Sequence, residues 1–438
     1  MSQSVNSEPH LAQPHAGPGA VRSARIALVT LTAINLLNYL DRYLVAGIVA
    51  PLKEHFDASD SDIGLLTSVF LLVYLIASPI FGILARRSSR TLLIAGGVMV
   101  WSLATIGSGL ANTLTQLLIA RGIVGIGEAA YSTIGPAILA DHYPPTRRPI
   151  ALSIFYAAIP IGSALSYIAS GMISENWGWR AVFLAGGVPG IALAIMCMRL
   201  NDPPHGQYEP RGQHDGSVAH LVTARSAASI WNSIRALRKS RDYAFATAGY
   251  IAFTFAFGAL AVWFPYYMQS VRGWSLGSAT LTFGIVLVAT GFVGTIGGGW
   301  IASRLAGGST GHLRLCAICM AVACPASILA LYCTADWLIL AGLAVASTFS
   351  FATQGPVNTV IINAVDATLR PFAIGTSVLL IHLFGDVPSP WIIGKISDSL
   401  HAAEGDAGMI VALALIPVAM ALSAAIWFWG SLSRGADR

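Results

Sequence analysis

Charge is scarce in this sequence. Asp, Glu, Lys and Arg make up only 10% of its 438 residues, whereas soluble domains carry about 25%. Hydrophobic residues account for 55% of the chain, and the mean hydropathy is +0.68. This composition excludes an ordinary soluble enzyme and indicates a protein with many membrane-spanning segments.

Signatures of metal sites are also missing. No H-E-x-x-H motif occurs, and all five cysteines lie in apolar segments. Cys316 and Cys319 have the C-x-x-C spacing, but without a second pair or a nearby histidine this spacing favours packing over metal binding. A membrane-embedded lipid hydrolase or acyltransferase stays an alternative, with Ser389 as its nucleophile near His382. We expect no catalytic residue, no metal site and no bound cofactor.

Twelve apolar segments of about 20 to 27 residues are long enough to cross a hydrocarbon core about 30 Å thick. A polar stretch, residues 200–242, divides them into six and six. Its end, from Trp231 to Arg241, is basic and amphipathic, which suits a helix on a membrane surface. The segments lie near 26–50, 62–85, 91–111, 117–140, 150–173, 180–199, 243–269, 277–302, 314–334, 337–361, 372–397 and 408–430.

This pattern predicts an all-α membrane protein of twelve transmembrane helices in two pseudo-symmetric six-helix bundles, 26–199 and 243–430. The linker 200–242 joins them on the cytoplasmic side. We expect a disordered cytoplasmic tail over 1–25, with no cleavable signal peptide, and a second tail over 431–438.

Basic residues are distributed unevenly between the two sides of the predicted spans. Of the 25 Lys and Arg residues, Arg42 and Arg121 lie inside spans, four lie on one side, and 19 lie on the side of the N-terminus. Because cytoplasmic loops are enriched in Lys and Arg, this places both termini in the cytoplasm. It also explains the net charge of +5 without a nucleic-acid partner. The four residues on the other side are Lys53, Arg180, Arg272 and Lys395.

The two halves repeat each other weakly. Three pairs of matching positions are separated by 217, 220 and 222 residues, and each pair falls in equivalent spans. Two parallel repeats of six spans are the plan of major facilitator transporters. The matches are Gly82 with Gly299, Gly135-Pro136 with Gly355-Pro356, and Arg148-Pro149 with Arg370-Pro371.

The first span carries two opposite charges where a membrane helix should have none. Asp41 and Arg42 lie about fifteen residues in, roughly 22 Å deep, and each charge costs about 2.5 to 3.5 kcal/mol near a helix centre. Asn35, Asn38 and Arg42 share one stripe, while Asp41 lies 100° round the helix from Arg42. The two charges therefore need not pair with each other.

The fourth span adds a second acid and a second base. Arg121 and Glu128 are seven residues apart and lie on one face, with Tyr131 one turn further along. One buried ion pair that packs spans one and four would explain part of this pattern. Two acids and two bases exceed what one such pair needs, so we predict that Asp41 and Glu128 couple protons. Arg42 and Arg121 then bind an anionic group or tune the acids.

The second half offers fewer polar groups. His382 and Asp386 are one turn apart in span eleven, and Pro388 and Pro390 free backbone carbonyls there. The histidine is equally explained by a hydrogen bond to Asp386, and the aromatic residues of span seven by ordinary packing. With these alternatives open, the predicted substrate-binding residues are Arg42, Arg121, Asn38, Tyr131, Gln354, Asn358, His382 and Asp386.

The loops after spans two and eight resemble the signature loop of the major facilitator superfamily. That pattern has an Asp just before the Arg, but here Arg86 and Ser303 take its place. We predict a cytoplasmic gate in which Arg87 or Arg90 pairs with Asp141, and Arg304 with Asp366. The alternative is that these arginines only set topology and contact lipid headgroups.

Three motifs resemble the spinster branch of this superfamily. They are Asn38-Tyr-Leu-Asp41-Arg42 in span one, the Arg121-to-Asp141 stretch with Glu128 and Pro136 in span four, and His382-x-x-Gly385-Asp386-x-x-Ser389-Pro390 in span eleven. Eukaryotic spinster proteins export sphingosine phosphate or move lysophospholipids, some of them with protons. The resemblance implies an alternating-access transporter of an amphipathic lipid.

The sequence analysis therefore predicts a proton-coupled transporter of a lysolipid or sphingosine phosphate, active as a monomer. The composition, rich in Ala and Gly and poor in Lys, is typical of a bacterial inner membrane. A facilitator or antiporter for a small organic anion or drug-like compound is the alternative. A receptor that has lost transport is a further one, because Arg86 departs from the gate pattern.

Overall fold

The computed structural model describes residues 18–85, 87–144, 147–204, 207–208, 227–305, 307–366, 369–404 and 407–432. Twelve apolar helices in these ranges are long enough to cross a bilayer, and the described residues include no strand. The predicted all-α membrane fold of twelve spans in two halves is confirmed.

Each half contributes six spans. The first half ends before a short linker helix, Ala227–Lys239, which lies where the basic amphipathic run predicts one. Spans one to six are Pro18–Tyr43, Asp60–Leu84, Arg90–Gly109, Leu114–His142, Arg148–Trp177 and Trp179–Met198. Spans seven to nine are Arg241–Ser270, Leu276–Arg304 and Gly308–Tyr332. The last three spans are interrupted: Asp336–Ala352 with Gln354–Asn363, Arg370–Ile381 with Ser389–Glu404, and Ala407–Leu413 with Leu415–Leu432.

The first span differs from its predicted bounds. Its helix begins at Pro18, inside the predicted tail, and ends at Tyr43 instead of Ala50. A 3-10 turn, Val45–Gly47, and a short helix, Val49–Phe56, continue the chain towards span two. Residues 1–17, 209–226 and 433–438 lie outside the described residues, and with them most of the predicted tails and linker.

The two halves meet at the face where spans two and eight begin, which we call the closed face. Asp398 of span eleven accepts a hydrogen bond from the backbone N–H of Asp60 at 2.8 Å. Glu175 of span five accepts one from the backbone N–H of Gly277 at 2.7 Å. Each half thus binds the start of a helix in the other half.

Two more hydrogen bonds join the halves deeper in the membrane. Ser68 Oγ donates to the carbonyl of Val387 at 2.5 Å, and the Tyr167 hydroxyl donates to the carbonyl of Ala261 at 2.8 Å. Among pairs of described residues, no hydrogen bond or ion pair joins the halves nearer the opposite face, which we call the open face. Among the described residues, the hydrogen bonds between the halves therefore lie at the closed face and in the adjoining part of the membrane domain.

Close packing within a half depends on glycines at helix crossings. Spans three and four cross at Gly97 and Gly127, and a Cβ on Gly127 would lie 2.5 Å from the carbonyl oxygen of Gly97. Neighbouring Gly96 is exposed, with nothing within 4 Å of an added Cβ. The crossing also fixes the span that carries Glu128.

Gly127→Ala should lower the free energy of unfolding by about 1 to 3 kcal/mol, because the added methyl group forces the two backbones apart. Thermal unfolding in detergent, followed by a thiol-reactive dye that labels buried cysteines as they become exposed, measures the change. Gly96→Ala is the matched control and should leave the midpoint unchanged or raise it slightly, since alanine favours a helix. Equal midpoints for the two variants would contradict the close crossing.

Candidate functional site

Span one breaks immediately after its charged pair. The backbone N–H of Leu44 turns back to the carbonyl of Asp41 at 3.3 Å, and the 3-10 turn follows. In that turn a Cβ on Gly47 would lie 1.8 Å from Ser170 Oγ of span five. The charged pair therefore lies at the end of a helix that is held closely against its neighbour.

The four charged side chains of spans one and four lie together in crossed pairs. Arg42 donates to Glu128 Oε2 from Nη2 at 3.0 Å and from Nε at 3.4 Å. Arg121 Nη1 lies 3.7 Å from Asp41 Oδ2, and Thr105 donates to Asp41 Oδ1 at 2.9 Å. Asp41 and Arg42, adjacent in sequence, thus have different partners. We call Asp41, Arg42, Arg121 and Glu128 the charge cluster.

Burial separates one member of the charge cluster from the rest. The side chains of Asp41, Arg121 and Glu128 are 1% exposed or less, whereas that of Arg42 is 13% exposed. Arg42 is therefore the most exposed member of the charge cluster.

The charge cluster is only partly hydrogen-bonded within the protein. Asp41 Oδ2, Glu128 Oε1 and two nitrogens of Arg121 are buried and form no hydrogen bond with any described residue. Both polar atoms of the Asn38 amide are in the same condition. A pair that serves only packing is normally fully hydrogen-bonded, because each buried unsatisfied group costs about 1 to 3 kcal/mol. The arrangement suits groups that change partners.

Aromatic rings surround the two guanidinium groups. Arg42 lies over the rings of Tyr39, Phe70 and Tyr74, with distances of 5.0, 5.5 and 4.9 Å to the ring centroids. Arg121 lies 4.7 Å from the centroid of Phe70. These cation–π contacts stabilise the charges in a medium of low polarity. We did not predict them, although Phe70 and Tyr74 are one turn apart on span two.

Two residues predicted beside the cluster serve packing instead. Tyr131, predicted to contact substrate, is fully buried and donates to the carbonyl of Leu31 at 2.7 Å. Asn35 donates to the carbonyl of Phe155 at 2.9 Å. Tyr131 lies on the same span as Glu128, but in this state its hydroxyl joins spans four and one. Its contact with substrate stays a prediction.

The polar groups of the second half remain accessible. His382 Nδ1 lies 2.9 Å from both carboxylate oxygens of Asp386, and these side chains are 30% and 22% exposed. The Tyr250 hydroxyl donates to Gln354 Oε1 at 3.0 Å, and Asn358 is exposed, with its amide bonded to the carbonyl of Gln354. The predicted residues of spans ten and eleven therefore present side chains that a ligand can contact.

Span eleven changes its winding at His382–Asp386, where a π-helical turn precedes the prolines. Side chains of span seven donate to two carbonyls on either side of this turn. Thr254 donates to the carbonyl of Ile381 at 3.0 Å, and Trp263 Nε1 donates to that of Pro390 at 3.0 Å. The broken helix is thus bonded to a neighbouring span at both ends of its irregular turn.

Comparison with known proteins agrees with this architecture. The family model described as Major Facilitator Superfamily matches residues 31–385. The chain is also 33% identical over 396 residues to protein spinster homolog 1 of Mus musculus, covering 86% of this chain and 73% of that protein.

The chain belongs to the spinster branch of the major facilitator superfamily.

Other spinster relatives and solved structures extend this finding. The chain is 28% identical over 443 residues to the probable sphingolipid transporter spinster homolog 3 of Arabidopsis thaliana, covering 93% of this chain and 84% of that protein. A crystal structure of a bacterial homolog of human lysosomal spinster, inward-facing and unoccupied, superposes with a TM-score of 0.82 at 22% identity. It covers 95% of this chain and 98% of that one. A D-xylose–proton symporter gives a TM-score of 0.69 at 18% identity, covering 93% and 97%.

This spinster protein is therefore a multi-pass membrane transporter and not an enzyme, and its substrate is a small molecule. The solved structures support the fold alone, since their identities are low.

Only one of the predicted gate pairs forms in this spinster chain. Arg90 donates to Asp141 at 2.5 Å and to Asp202 at 2.9 Å, which ties spans three and four to the start of the linker. Arg87 is exposed. The Arg90–Asp141 pair lies within one half, so it does not join the halves in this state.

The matching pair of the second half does not form in this state. Arg304 does not pair with Asp366; its guanidinium lies 3.9 Å from the ring centroid of Trp300, one turn back in the same span. Ser303, which stands where the family pattern has Asp, donates to the carbonyl of Trp300 at 2.7 Å. Arg86 lies outside the described residues.

The crossed pairing predicts a specific pattern of energetic coupling. Removing one partner of a buried pair leaves an uncompensated charge and costs about 3 to 5 kcal/mol. In double-mutant cycles, Arg42→Gln with Glu128→Gln should show a coupling energy of about 1 to 3 kcal/mol. Thermal unfolding of the purified variants measures it.

The control cycle uses the sequence neighbours. Asp41→Asn with Arg42→Gln should couple more weakly than Arg42→Gln with Glu128→Gln. Stronger coupling between the neighbours would show that Asp41 and Arg42 pair with each other in the membrane domain.

Proposed function

We propose that this protein is a proton-coupled, alternating-access transporter of an amphipathic lipid with an anionic headgroup, such as a lysolipid or sphingosine phosphate. The observation that carries the proposal is the ion pair between Glu128, which is fully buried, and Arg42, which is partly exposed. The coupling ion is the proton, and no other cofactor is needed.

The pair offers a direct way to couple a proton to an anion. While Glu128 is ionised, it neutralises Arg42. When Glu128 takes up a proton, the guanidinium loses its partner and is free to bind a phosphate or carboxylate of the substrate. A planar guanidinium suits this role because it binds such groups through two parallel hydrogen bonds. The proton and the anion then favour each other's binding by the same factor.

Asp41 is the second proton site in this proposal. Its bond to Thr105 is short, but its contact with Arg121 is long at 3.7 Å and involves no hydrogen bond. A carboxylate held loosely beside a guanidinium changes partners at small cost. A shift of Arg121 towards Glu128 would leave Asp41 ready to accept a proton.

The second half supplies an apolar wall for an acyl chain. Phe253 and Phe257 stack at 5.9 Å between ring centroids, and Phe351 meets Phe257 at 5.2 Å. Phe257 and Phe351 are only partly buried. Trp263 and Tyr267 of the same span are buried and pack against backbone carbonyls, so only part of the aromatic surface is available to a ligand.

Orientation and setting complete the proposal. The excess of Lys and Arg in loops on the open face supports a cytoplasmic position for that face and for both termini, and with it an inward-facing state. We place the protein as a monomer in the inner membrane of a bacterium. The name of the Arabidopsis relative, a probable sphingolipid transporter, supports a lipid substrate.

Neutralising the two acids should remove the response to pH. Purified protein in liposomes, supplied with a fluorescent lysolipid and a pH gradient, should transport substrate faster when protons can accompany it. Asp41→Asn and Glu128→Gln should each abolish the effect of the gradient, whereas Glu54→Gln, an exposed control, should keep it. If both acid variants respond to the gradient as the unaltered protein does, the assignment of proton sites is wrong.

Replacing Arg42 should weaken headgroup binding even when the charge is retained. Arg42→Lys keeps a cation but loses the planar group and its ring contacts, so the affinity for a phosphate headgroup should fall about tenfold. Ligand-induced thermal stabilisation, measured with lysolipids of different headgroups and chain lengths, gives this affinity. Arg87→Lys, on the exposed loop, should have no effect.

Ligand-induced thermal stabilisation also distinguishes a lipid substrate from a small organic anion or drug-like compound. Stabilisation that depends on chain length supports an amphiphile, whereas stabilisation by small organic anions alone supports the alternative substrate class.

A further inference from the structure

A short sequence element occurs at the closed-face ends of both span five and span eleven. Residues 171–175 read Gly-Met-Ile-Ser-Glu and residues 394–398 read Gly-Lys-Ile-Ser-Asp, 223 positions further on. This separation continues the internal repeat, whose other matches lie 217 to 222 residues apart. The two halves therefore carry the same glycine, serine and acid at equivalent places.

Each of these acids binds the first N–H groups of a helix in the other half. Asp398 accepts from Asp60 and Ser61, each at 2.8 Å, one with each carboxylate oxygen. Glu175 accepts from Gly277 at 2.7 Å. Ser61 and Gly277 are the second residues of spans two and eight. The first N–H groups of a helix lack partners within it and carry the positive end of its dipole, so a carboxylate is a favourable partner.

The glycine of each element lets the helices approach closely. A Cβ on Gly394 would lie 2.3 Å from the backbone oxygen of Asp60, and one on Gly171 would lie 1.9 Å from Thr280 Oγ1. In both elements this glycine is one turn before the acid. The close approach brings each carboxylate within reach of the opposing helix.

Lys53 neutralises the carboxylate of Asp60, which would otherwise repel the carboxylate of Asp398. Its amine pairs with the Asp60 carboxylate and donates to the Tyr266 hydroxyl at 2.9 Å. Burial alone would lower the pKa of Lys53, but the hydrogen bonds to Asp60 and Tyr266 raise that pKa above its usual value, so the amine stays cationic. Ser397 also donates to Asp60, at 2.7 Å.

We infer that Glu175 and Asp398 are paired latch residues that hold the closed face shut, and that both bonds break when the face opens. The two bonds are crossed: each half supplies one acid and one helix start. A rocking motion that separates spans two and eleven, and spans five and eight, breaks both. The strength of these bonds therefore sets how often the closed face opens. This inference rests on the two-state transporter fold and not on the nature of the substrate.

Hydrogen–deuterium exchange of the full chain in lipid nanodiscs tests the latch without any substrate. Glu175→Gln should raise exchange at the start of span eight about threefold, and Asp398→Asn should raise it at the start of span two about tenfold, because Asp398 binds two N–H groups and is less exposed. In both variants, peptides at the open-face ends of spans two and eight should exchange more slowly, since that face closes as the other opens.

Glu54→Gln, a carboxylate on the same face that joins no helix start, is the control and should change nothing. Glu175→Asp and Asp398→Glu, which keep the charge, should restore most of the protection at both faces. Gly394→Ala provides a second route, because it separates spans two and eleven without altering charge, and it should give the same reciprocal pattern as Asp398→Asn. Faster exchange confined to the capped amides, with no slowing at the open face, would overturn the latch and leave the acids as simple helix caps.

Discussion

The structure depends on keeping four charges inside an apolar helical bundle. Each would cost about 2.5 to 3.5 kcal/mol alone near the middle of a membrane helix, so each requires an opposite charge. Arg42 pairs with Glu128, and Asp41 pairs with Arg121. Asp41 and Arg42 are adjacent on span one, whereas their partners, Arg121 and Glu128, lie two turns apart on span four. The two crossed pairs therefore fix how far span one is shifted along its axis relative to span four. A single pair would leave that shift less well determined.

Charge and closure are arranged differently in the two halves. The charge cluster belongs to the first half alone, while the second half offers His382, Asp386 and an aromatic wall. The closed face is built from both halves by nearly the same contacts, with Glu175 and Asp398 in matching positions. The arrangement of polar and aromatic groups is thus asymmetric, as the proposed amphiphilic substrate requires, whereas the contacts proposed to break together are symmetric.

Hydropathy, basic loops and repeated motifs were sufficient to predict the twelve spans and the four members of the charge cluster. The residues that each of these side chains contacts were less predictable. Helical periodicity gives the face on which a residue lies, but the rotation and crossing of neighbouring helices decide what that face meets. Thr105, which binds Asp41, and the burial of Tyr131 follow from such packing.

Errors at the ends of spans have a different cause. The start of span one at Pro18 was missed because Arg22 and Arg25 lower the local hydropathy, although a helix end outside the apolar core tolerates them. Arg304 was assigned a partner in another loop, but a ring one turn away in its own span provides a nearer contact. A contact between an arginine and a ring in the same helix forms without bringing a second loop close. We considered only pairs of opposite charge, so this contact was not predicted.

One segment connects the charge cluster to the closed face. Asp41 and Arg42 end the first helix, and the turn that follows packs Gly47 against Ser170 of span five. Tyr43, in the same last turn, meets Tyr167 at 5.5 Å between ring centroids, and the Tyr167 hydroxyl binds the opposite half. Span five then reaches the closed face five residues beyond Ser170, at the latch acid. A helix that ran unbroken past Tyr43 would have no turn to repack. The break after Tyr43 gives the segment a means to move when its charged end changes partner, and Tyr43 contacts Tyr167, whose hydroxyl binds the opposite half.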